Sequence, residues 1–294
     1  MSDFVIRPFR RDDRDHLTRL VDRHIAAVNP GASVSVNTVL SRIERRPEET
    51  ILDPWVIERM TLVAEQRGVI VAAAHLLRYG DDARVSGDYR DAAAIEWFLA
   101  PVGADEQAAA DGVMTACLAQ FARWRSAHRW YDGKLPAPAV YGLPDQWPHL
   151  RALLDRTGWV RVEDPVTEIV LVAATRDLHH PDRADLTVRR SMGELGTVFT
   201  ACRGDTRVGA LEIDTDLTPP ERISRGGGWA DVCDAEGEPD VLRWLFGRVA
   251  DWLRLGAIDR LLDYRYPGEP GLPLLLECGF TELTRIERGW RHPG

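Results

Sequence analysis

Residues 150–162 read LRALLDRTGWVRV, and residues 274–283 read LLLECGFTEL. In each, an apolar helical turn runs into a glycine, Gly158 or Gly279, and then an aromatic, Trp159 or Phe280, that opens a strand. Glycine just past a last turn accepts the left-handed conformation that ends a helix. Each ending also follows, by a few dozen residues, an apolar strand and a long amphipathic helix. The recurrence points to two copies of one fold, and 294 residues are comfortable for two cores.

Upstream of the first ending, periodicity predicts a strand at Phe4–Pro8 and helices at Arg14–Val28, capped by Asp12, and Val36–Arg46. A hairpin of Leu62–Glu65 and Val69–Leu77 follows around Gln66-Arg67-Gly68, and Gly80–Asp91 is a polar loop. Next come a strand at Ala92–Leu99, a helix from about Asp105 to Ala127 and strand-like pieces at Trp130-Tyr131 and Ala137–Tyr141. A helix at Leu150–Arg156 and a strand over Trp159–Ala173 complete this half.

The polar, proline-containing stretch Thr175–Asp185 reads as a linker. Beyond it, strands are expected at Leu186–Ser191, Val198–Arg203, Val208–Asp214 and, after a loop with Pro219-Pro220 and Gly226-Gly227-Gly228, Trp229–Cys233. Helix Pro239–Leu255, strand Arg260–Tyr264, helix Pro273–Glu277 and strand Phe280–Trp290 end the chain. The second half repeats the first from its hairpin onward and lacks room for the two opening helices. The expectation is a mixed α/β protein with domains 1–174 and 186–294 joined by 175–185.

A net charge of -9 and a pI near 5.4 argue against nucleic acid or an acidic membrane as a partner. Basic or zwitterionic small molecules suit such a surface better. Lys134 is the one lysine among 37 basic residues, a single and poorly placed candidate for Schiff-base chemistry. Cysteines 117, 202, 233 and 278 lack metal-ligand spacing and read as small apolar residues in a reduced cytoplasm. The N-terminus has no apolar export core, and no run of 18 uncharged apolar residues occurs, so neither export nor membrane spanning is expected. No GxSxG, P-loop or GxGxxG unit supports hydrolase, NTPase or dinucleotide readings. The His179-His180 pair, with His128 and Asp182, has no specific metal spacing.

Element order and the Gly-Trp and Gly-Phe endings resemble the GCN5-related N-acetyltransferase superfamily, as a tandem protein of actinobacterial type, complete over Phe4–Ala173 and truncated over Leu186–Trp290. The resemblance implies a loop of pattern [Q/R]xxGx[G/A] opening a helix, whose backbone N–H groups and dipole hold a CoA pyrophosphate. Here Gln107-Ala108-Ala109-Ala110-Asp111-Gly112 stands in that place, with Ala110 for a glycine and Asp111 adding a negative charge. Leu99 and Val102 would complete the cofactor-binding set. A helix N-terminal turn rich in alanine explains the same residues without a ligand. The second half has Gly237-Glu238-Pro239-Asp240-Val241-Leu242, with two carboxylates and a missing N–H, and is expected to be structural or substrate-shaping.

Acyl transfer from a thioester to an amine needs a base for the amine and a proton for the departing thiolate. Glu96, alone and ionisable in AAAIEWFL, is the candidate base; a glutamate on the solvated face paired with a neighbouring arginine fits equally. The family often carries a tyrosine four residues before the Gly-Phe or Gly-Trp glycine, and Leu154 and Leu275 stand there instead. Tyr141 and His149 are the candidate proton donors, with capping and packing as the other role for the Trp147-Pro148-His149 stretch. Trp97, Trp130, Trp147 and Trp229 could line an apolar pocket but more often form cores. The resemblance thus implies an acyl-CoA-dependent N-acyltransferase, with acetyl-CoA or another acyl-CoA and a small-molecule amine as substrates. It is compatible with a cytoplasmic homodimer. The rivals are a binding protein that kept the fold, or a CoA-independent biosynthetic enzyme reusing the cleft.

Overall fold

The computed structural model describes residues 4–44, 55–101, 104–162, 166–215 and 228–294. The chain forms two compact units, Met1–Val166 with Ile286–Gly294, and Thr167–Arg285. The boundary therefore differs from the expected one at 174. Residues 175–185 belong to the second unit, where Leu178 is buried and His180 Nε2 lies 3.2 Å from Asp251 on a helix of that unit.

In the first unit, β1 (Val5–Pro8) leads through a 3-10 turn at Arg11–Asp13 to α1 (Arg14–Val28) and α2 (Val36–Ile43). Leu17, Leu20, Val21, Ile25 and Val28 give α1 one apolar face, which is buried. Arg7 on β1 fixes its start through an ion pair with Asp13 at 2.7 Å. The Ser35 hydroxyl accepts the Thr38 N–H at 3.1 Å and caps α2, a contact worth about 1 kcal/mol. Then come β2 (Val56–Gln66), β3 (Val69–Tyr79), β4 (Ala92–Leu99), α3 (Ala104–Trp124), β5 (His128–Tyr131), the short β6 (Leu143–Pro144), α4 (Pro148–Arg156) and β7 (Val160–Arg161). Ala137–Tyr141 is not a strand.

The second unit begins with β8 (Thr167–Ala174), β9 (Thr187–Met192), β10 (Thr197–Arg203), β11 (Thr206–Asp214) and β12 (Gly228–Gly237). It continues with α5 (Pro239–Leu255), β13 (Ile258–Arg265), α6 (Leu272–Glu277) and most of β14 (Thr281–Glu287). The last strand, β15 (Trp290–Arg291), belongs to the first unit.

The two endings are the same helix stop. Trp159 N–H donates to the Leu154 carbonyl and Phe280 N–H to the Leu275 carbonyl, both at 3.0 Å, around Gly158 at φ 85° and Gly279 at φ 102°. This is the bond pattern of a Schellman cap, and both aromatics are buried beyond it. The repeat also extends into the sheets at single-residue register. Val71 on β3 is an extra residue opposite Ala64/Glu65, and Val208 on β11 is one opposite Ala201/Cys202. Glu96 on β4 bulges opposite His75/Leu76, and Cys233 on β12 bulges opposite Glu212/Ile213. Both pairs, 71 with 208 and 96 with 233, are 137 residues apart.

The sheets exchange their inner closing strands. The first runs β1-β2-β3-β4-β5-β15-β7, and in the second β14-β8-β13-β12-β11-β10-β9 are neighbours, with β6 beyond β14. In each sheet, the strand after the Gly-Trp or Gly-Phe cap is separated from the parallel strand before the cap by one strand. In the first unit that strand is the chain's last; in the second it is β8, which follows β7 in sequence. The expected continuous strands Trp159–Ala173 and Phe280–Trp290 are each two strands in different units for this reason. Among the described residues no helix is long and apolar enough to cross a membrane.

Candidate functional site in the splayed strands of the first unit

β4 and β5 run parallel from Ala92/His128 to Ile95/Tyr131 and no further. Beyond Tyr131 the ladder ends, but the chain stays bonded to β4, Asp132 N–H to the Ile95 carbonyl at 2.9 Å and Lys134 N–H to the Glu96 carbonyl at 2.5 Å. The bulge at Glu96 sits where this regular parallel ladder ends. A bulge re-aims a side chain out of the regular alternation, and the Glu96 side chain is 13% exposed, enough to reach solvent from an apolar strand.

Glu96 Oε2 lies 3.7 Å from Nε2 of His75 on β3. His75 is fully buried, its Nδ1 is 2.8 Å from the Thr61 hydroxyl, and its ring stacks on Trp97 with centroids 5.5 Å apart. Burial, then the charge of Arg59, holds its pKa down to about 3, so the ring is neutral. His75 stands in VIVAAAHLL, before Arg78 ends the apolar run, as Glu96 stands in AAAIEWFL, one polar residue among apolar ones. The same signal marks both, and sequence reasoning took only one.

Asp132 is a second residue the sequence reading passed over. Its carboxyl accepts the Tyr89 hydroxyl at 3.1 Å, and burial pushes its pKa up to about 6 against the lowering effects of Tyr89, Lys134 and Arg288. Tyr141 lies beside this group, its ring 5.4 Å from the Arg288 guanidinium, and the next residue, Gly142, donates its N–H to the Asp132 carbonyl at 2.7 Å. The loop closes tightly: a Cβ on Gly133 would stand 1.8 Å from the Gly142 carbonyl oxygen.

His149 lies elsewhere, at the far end of β4. Its ring is 5.9 Å from that of His24, and burial lowers its pKa, partly offset by the backbone of Ala100. His24 Nδ1 lies 2.8 Å from the Leu20 carbonyl and must donate there, so Nε2 accepts the Ala100 N–H at 3.2 Å. Four residues of strand separate Ala100 from Glu96, roughly 13 Å at the usual rise. Backbone bonds thus link the Glu96 and Tyr141 segments through Asp132 and Lys134, while His149 lies at the Ala100 end of β4.

The expected pyrophosphate segment is repositioned. α3 already begins at Ala104, so Ala108–Gly112 lie within the helix, past the four N-terminal N–H groups left unpaired. Ala109 and Ala110 are buried, Gln107 and Ala108 are exposed, and Asp111 pairs with Arg156 at 2.7 Å. Gly112 has a packing reason: a Cβ there would stand 2.9 Å from the Phe4 ring. The N–H groups that α3 leaves without an intrahelical partner lie ahead of Gln107. Leu99 closes β4 and is fully buried. Val102 lies outside the described residues, as do the end of the expected second helix at 45–46 and the loop from Pro219 to Gly227.

In the second unit β12 and β13 part after Asp231/Leu262. Asp231 accepts the Tyr264 hydroxyl at 3.2 Å, and burial pushes its pKa up to about 7, with Asp214 and Asp263 adding to the rise. α5 starts immediately after β12 with Glu238 as N-cap and Pro239 and Asp240 in its first turn. Trp147 and Trp229 are core residues. Among the described residues no group of three or more His, Cys, Asp or Glu is placed to hold a metal.

No family model matches the sequence, and no curated protein matches it. Solved structures do match. A tandem GCN5-related N-acetyltransferase protein from the clavulanic acid biosynthesis pathway aligns with a TM-score of 0.60 at 12% identity, over 98% of each chain. A GCN5-related N-acetyltransferase from Sphaerobacter thermophilus aligns at 0.56 and 13%, over 98% of this chain and 95% of that one. A glucosamine N-acetyltransferase region of a fungal multi-domain GH3 β-N-acetylglucosaminidase aligns at 0.58 and 15%; this chain spans 38% of that longer one. At these identities the likeness is one of fold, and the fold is that of two GCN5-related N-acetyltransferase domains in tandem.

Proposed function

We propose that the first unit transfers an acyl group, acetyl in the simplest case, from an acyl-CoA thioester to an amine of a small molecule. The observation that carries the reading is the bulged Glu96 where the β4–β5 ladder ends, its carboxylate near-buried beside a neutral histidine. Glu96 takes the amine proton, directly or through one water, as the C–N bond forms and the thioester C–S bond breaks. Tyr141, whose neighbour Gly142 is bonded to the Asp132 carbonyl, is the candidate to return a proton to the thiolate. His149, at the Ala100 end, is the weaker candidate.

The residues fit such a substrate unevenly. At the reacting end they supply a carboxylate on an otherwise apolar strand. At the diphosphate end α3 offers its N-terminal N–H groups, but the Gln107–Gly112 segment lies within the helix, where Asp111 is paired with Arg156. That observation favours a second reading, in which the fold serves binding or CoA-independent chemistry.

Thermal unfolding with and without millimolar acetyl-CoA separates the two. A ligand at about 100 times its Kd adds roughly 2.7 kcal/mol of stability. No shift with any acyl-CoA removes the acyltransferase reading. Where a shift is found, Glu96→Gln is expected to keep it and to lower turnover by about 100-fold or more.

A further inference from the structure

His75 is a costly residue to keep. It is fully buried with its ring stacked on Trp97, and its Nε2 makes no hydrogen bond. A buried polar nitrogen left unpaired costs about 1–3 kcal/mol, so a use for it is worth seeking. Its Nδ1 is engaged by Thr61, and its Nε2 faces the Glu96 carboxylate at 3.7 Å, long for a hydrogen bond and short for a charge–dipole contact.

The tautomer follows from these two distances. A neutral imidazole carries one proton. On Nδ1, that proton would leave the Nε2 lone pair pointing at a carboxylate. On Nε2 it points a dipole's positive end at Glu96, while the Thr61 hydroxyl donates to Nδ1. Thr61 itself is pinned because its backbone carbonyl accepts the Phe9 N–H at 2.9 Å.

We propose that His75 is a positioning residue for Glu96: held by Thr61 as the Nε2–H tautomer, it orients the carboxylate and favours its ionised form. The inference deepens the acyltransferase reading and rests on it for its kinetic consequence. Other charges share the neighbourhood. Arg59 on β2 acts on the same imidazole, and Asp132 and Lys134 follow β5 where their backbone N–H groups meet β4. Because Arg59 also favours an anion, removing His75 moves the balance without abolishing it.

The test has a spectroscopic arm and a kinetic arm. In the whole protein with nitrogen-15-labelled histidine, the His75 imidazole is expected to show a neutral ring protonated on Nε2 between pH 5 and 8, and its Nε2 resonance to move in Glu96→Gln. A ring protonated on Nδ1, a cationic ring, or a resonance indifferent to Glu96→Gln overturns the proposal whether or not the protein turns over any substrate. Kinetically, His75→Phe keeps a ring against Trp97 and removes the dipole. It is expected to move the acid limb of kcat/KM upward by about half a pH unit or more and to lower kcat roughly tenfold, leaving the acyl-CoA KM unchanged; removing the base itself costs more. His75→Gln, which retains a donor, restores most of the loss, and Thr61→Val shifts the limb in the same direction by less. An unmoved acid limb in both His75→Phe and Thr61→Val overturns the proposal. Should His75→Phe fail to fold, Thr61→Val and the spectra decide. Absence of turnover in the wild type with any acyl-CoA is the failure of the acyltransferase reading and leaves the spectra to judge His75.

Discussion

Glu96 and Cys233 hold the same place in the two sheets, each the extra residue of a bulge on the strand that leads to the unit's long helix, 137 residues apart. The backbone device is kept in both copies and the carboxylate in one. Burial first, and then the carboxylates of Asp214, Asp231 and Glu212, push the Cys233 thiol up to about 11 against one backbone hydrogen bond. The thiolate is the reactive form. Cys233 is therefore expected to alkylate far more slowly than an unhindered thiol at pH 7.5, and Cys233→Ser to leave turnover unchanged. Mass spectrometry after timed iodoacetamide treatment checks the first, and fast labelling would show that Cys233 is more accessible and less surrounded by carboxylates than described.

Asp231 carries a pH signature. Its folded pKa of about 7 stands above its value of 3.8 in an unfolded chain, so the native state holds a proton the unfolded state releases. The resulting stability is complete below pH 4 and is lost as pH rises to about 7. Asp231→Asn keeps an acceptor for the Tyr264 hydroxyl and does not ionise. It is expected to raise the unfolding temperature at pH 7.5, with no gain at pH 4. Melting curves across that range check it; an equal shift at both pH values would assign the effect to packing.

Glu287 ties the returning end of the chain into the first unit through Arg151 at 2.9 Å and Arg161 at 3.4 Å, with its side chain 13% exposed. Glu287→Ala removes one partner from each guanidinium, while Arg151 keeps Asp145 and Arg161 keeps the Val166 carbonyl. A loss of about 1–3 kcal/mol is expected, read as a fall of roughly 2–4 °C in Tm per kcal/mol for units of this size. A Tm within 1 °C of wild type, roughly what a few tenths of a kcal/mol would give, would mean that the pair is exchanged for water at no cost.

Two glycines should respond differently to alanine. Gly158 has φ 85° and open space apart from His292 Nε2 at 3.6 Å, so Gly158→Ala pays conformational strain alone, about 1–2 kcal/mol. Gly142, at φ 66°, would set a Cβ 2.5 Å from Ile286 and 2.7 Å from the Glu287 carbonyl. Gly142→Ala is expected to be the more damaging by urea unfolding, and equal losses would contradict the close approach.

What could be read from the residues was local. The caps at Gly158 and Gly279, the hairpin at Gly68 and the 15-residue α1 each depend on neighbours a few positions away, and they were found within a residue or two. The strand exchange was not readable, because TEIVLVAA suits either sheet and its partner is chosen by topology. The Gln107–Gly112 segment was matched by spacing to a loop, when the helix begins earlier and Gly112 answers to Phe4. Glu96 was legible as an acid in an apolar run, whereas what faces it came from a register shift no pattern announces.

The exchange of closing strands also fixes where the second unit is attached. Arg288 N–H donates to the Val166 carbonyl, and Val162 N–H to the Gly289 carbonyl, both at 2.9 Å, so the chain departs and comes back through one hydrogen-bonded gate. In genetic terms the second unit is a parenthesis inside the first. A gene joining codon 166 to codon 288 would encode a chain whose remaining sheet order is unbroken, and a protease nick between the units would leave both pieces of the first still zipped together by β15.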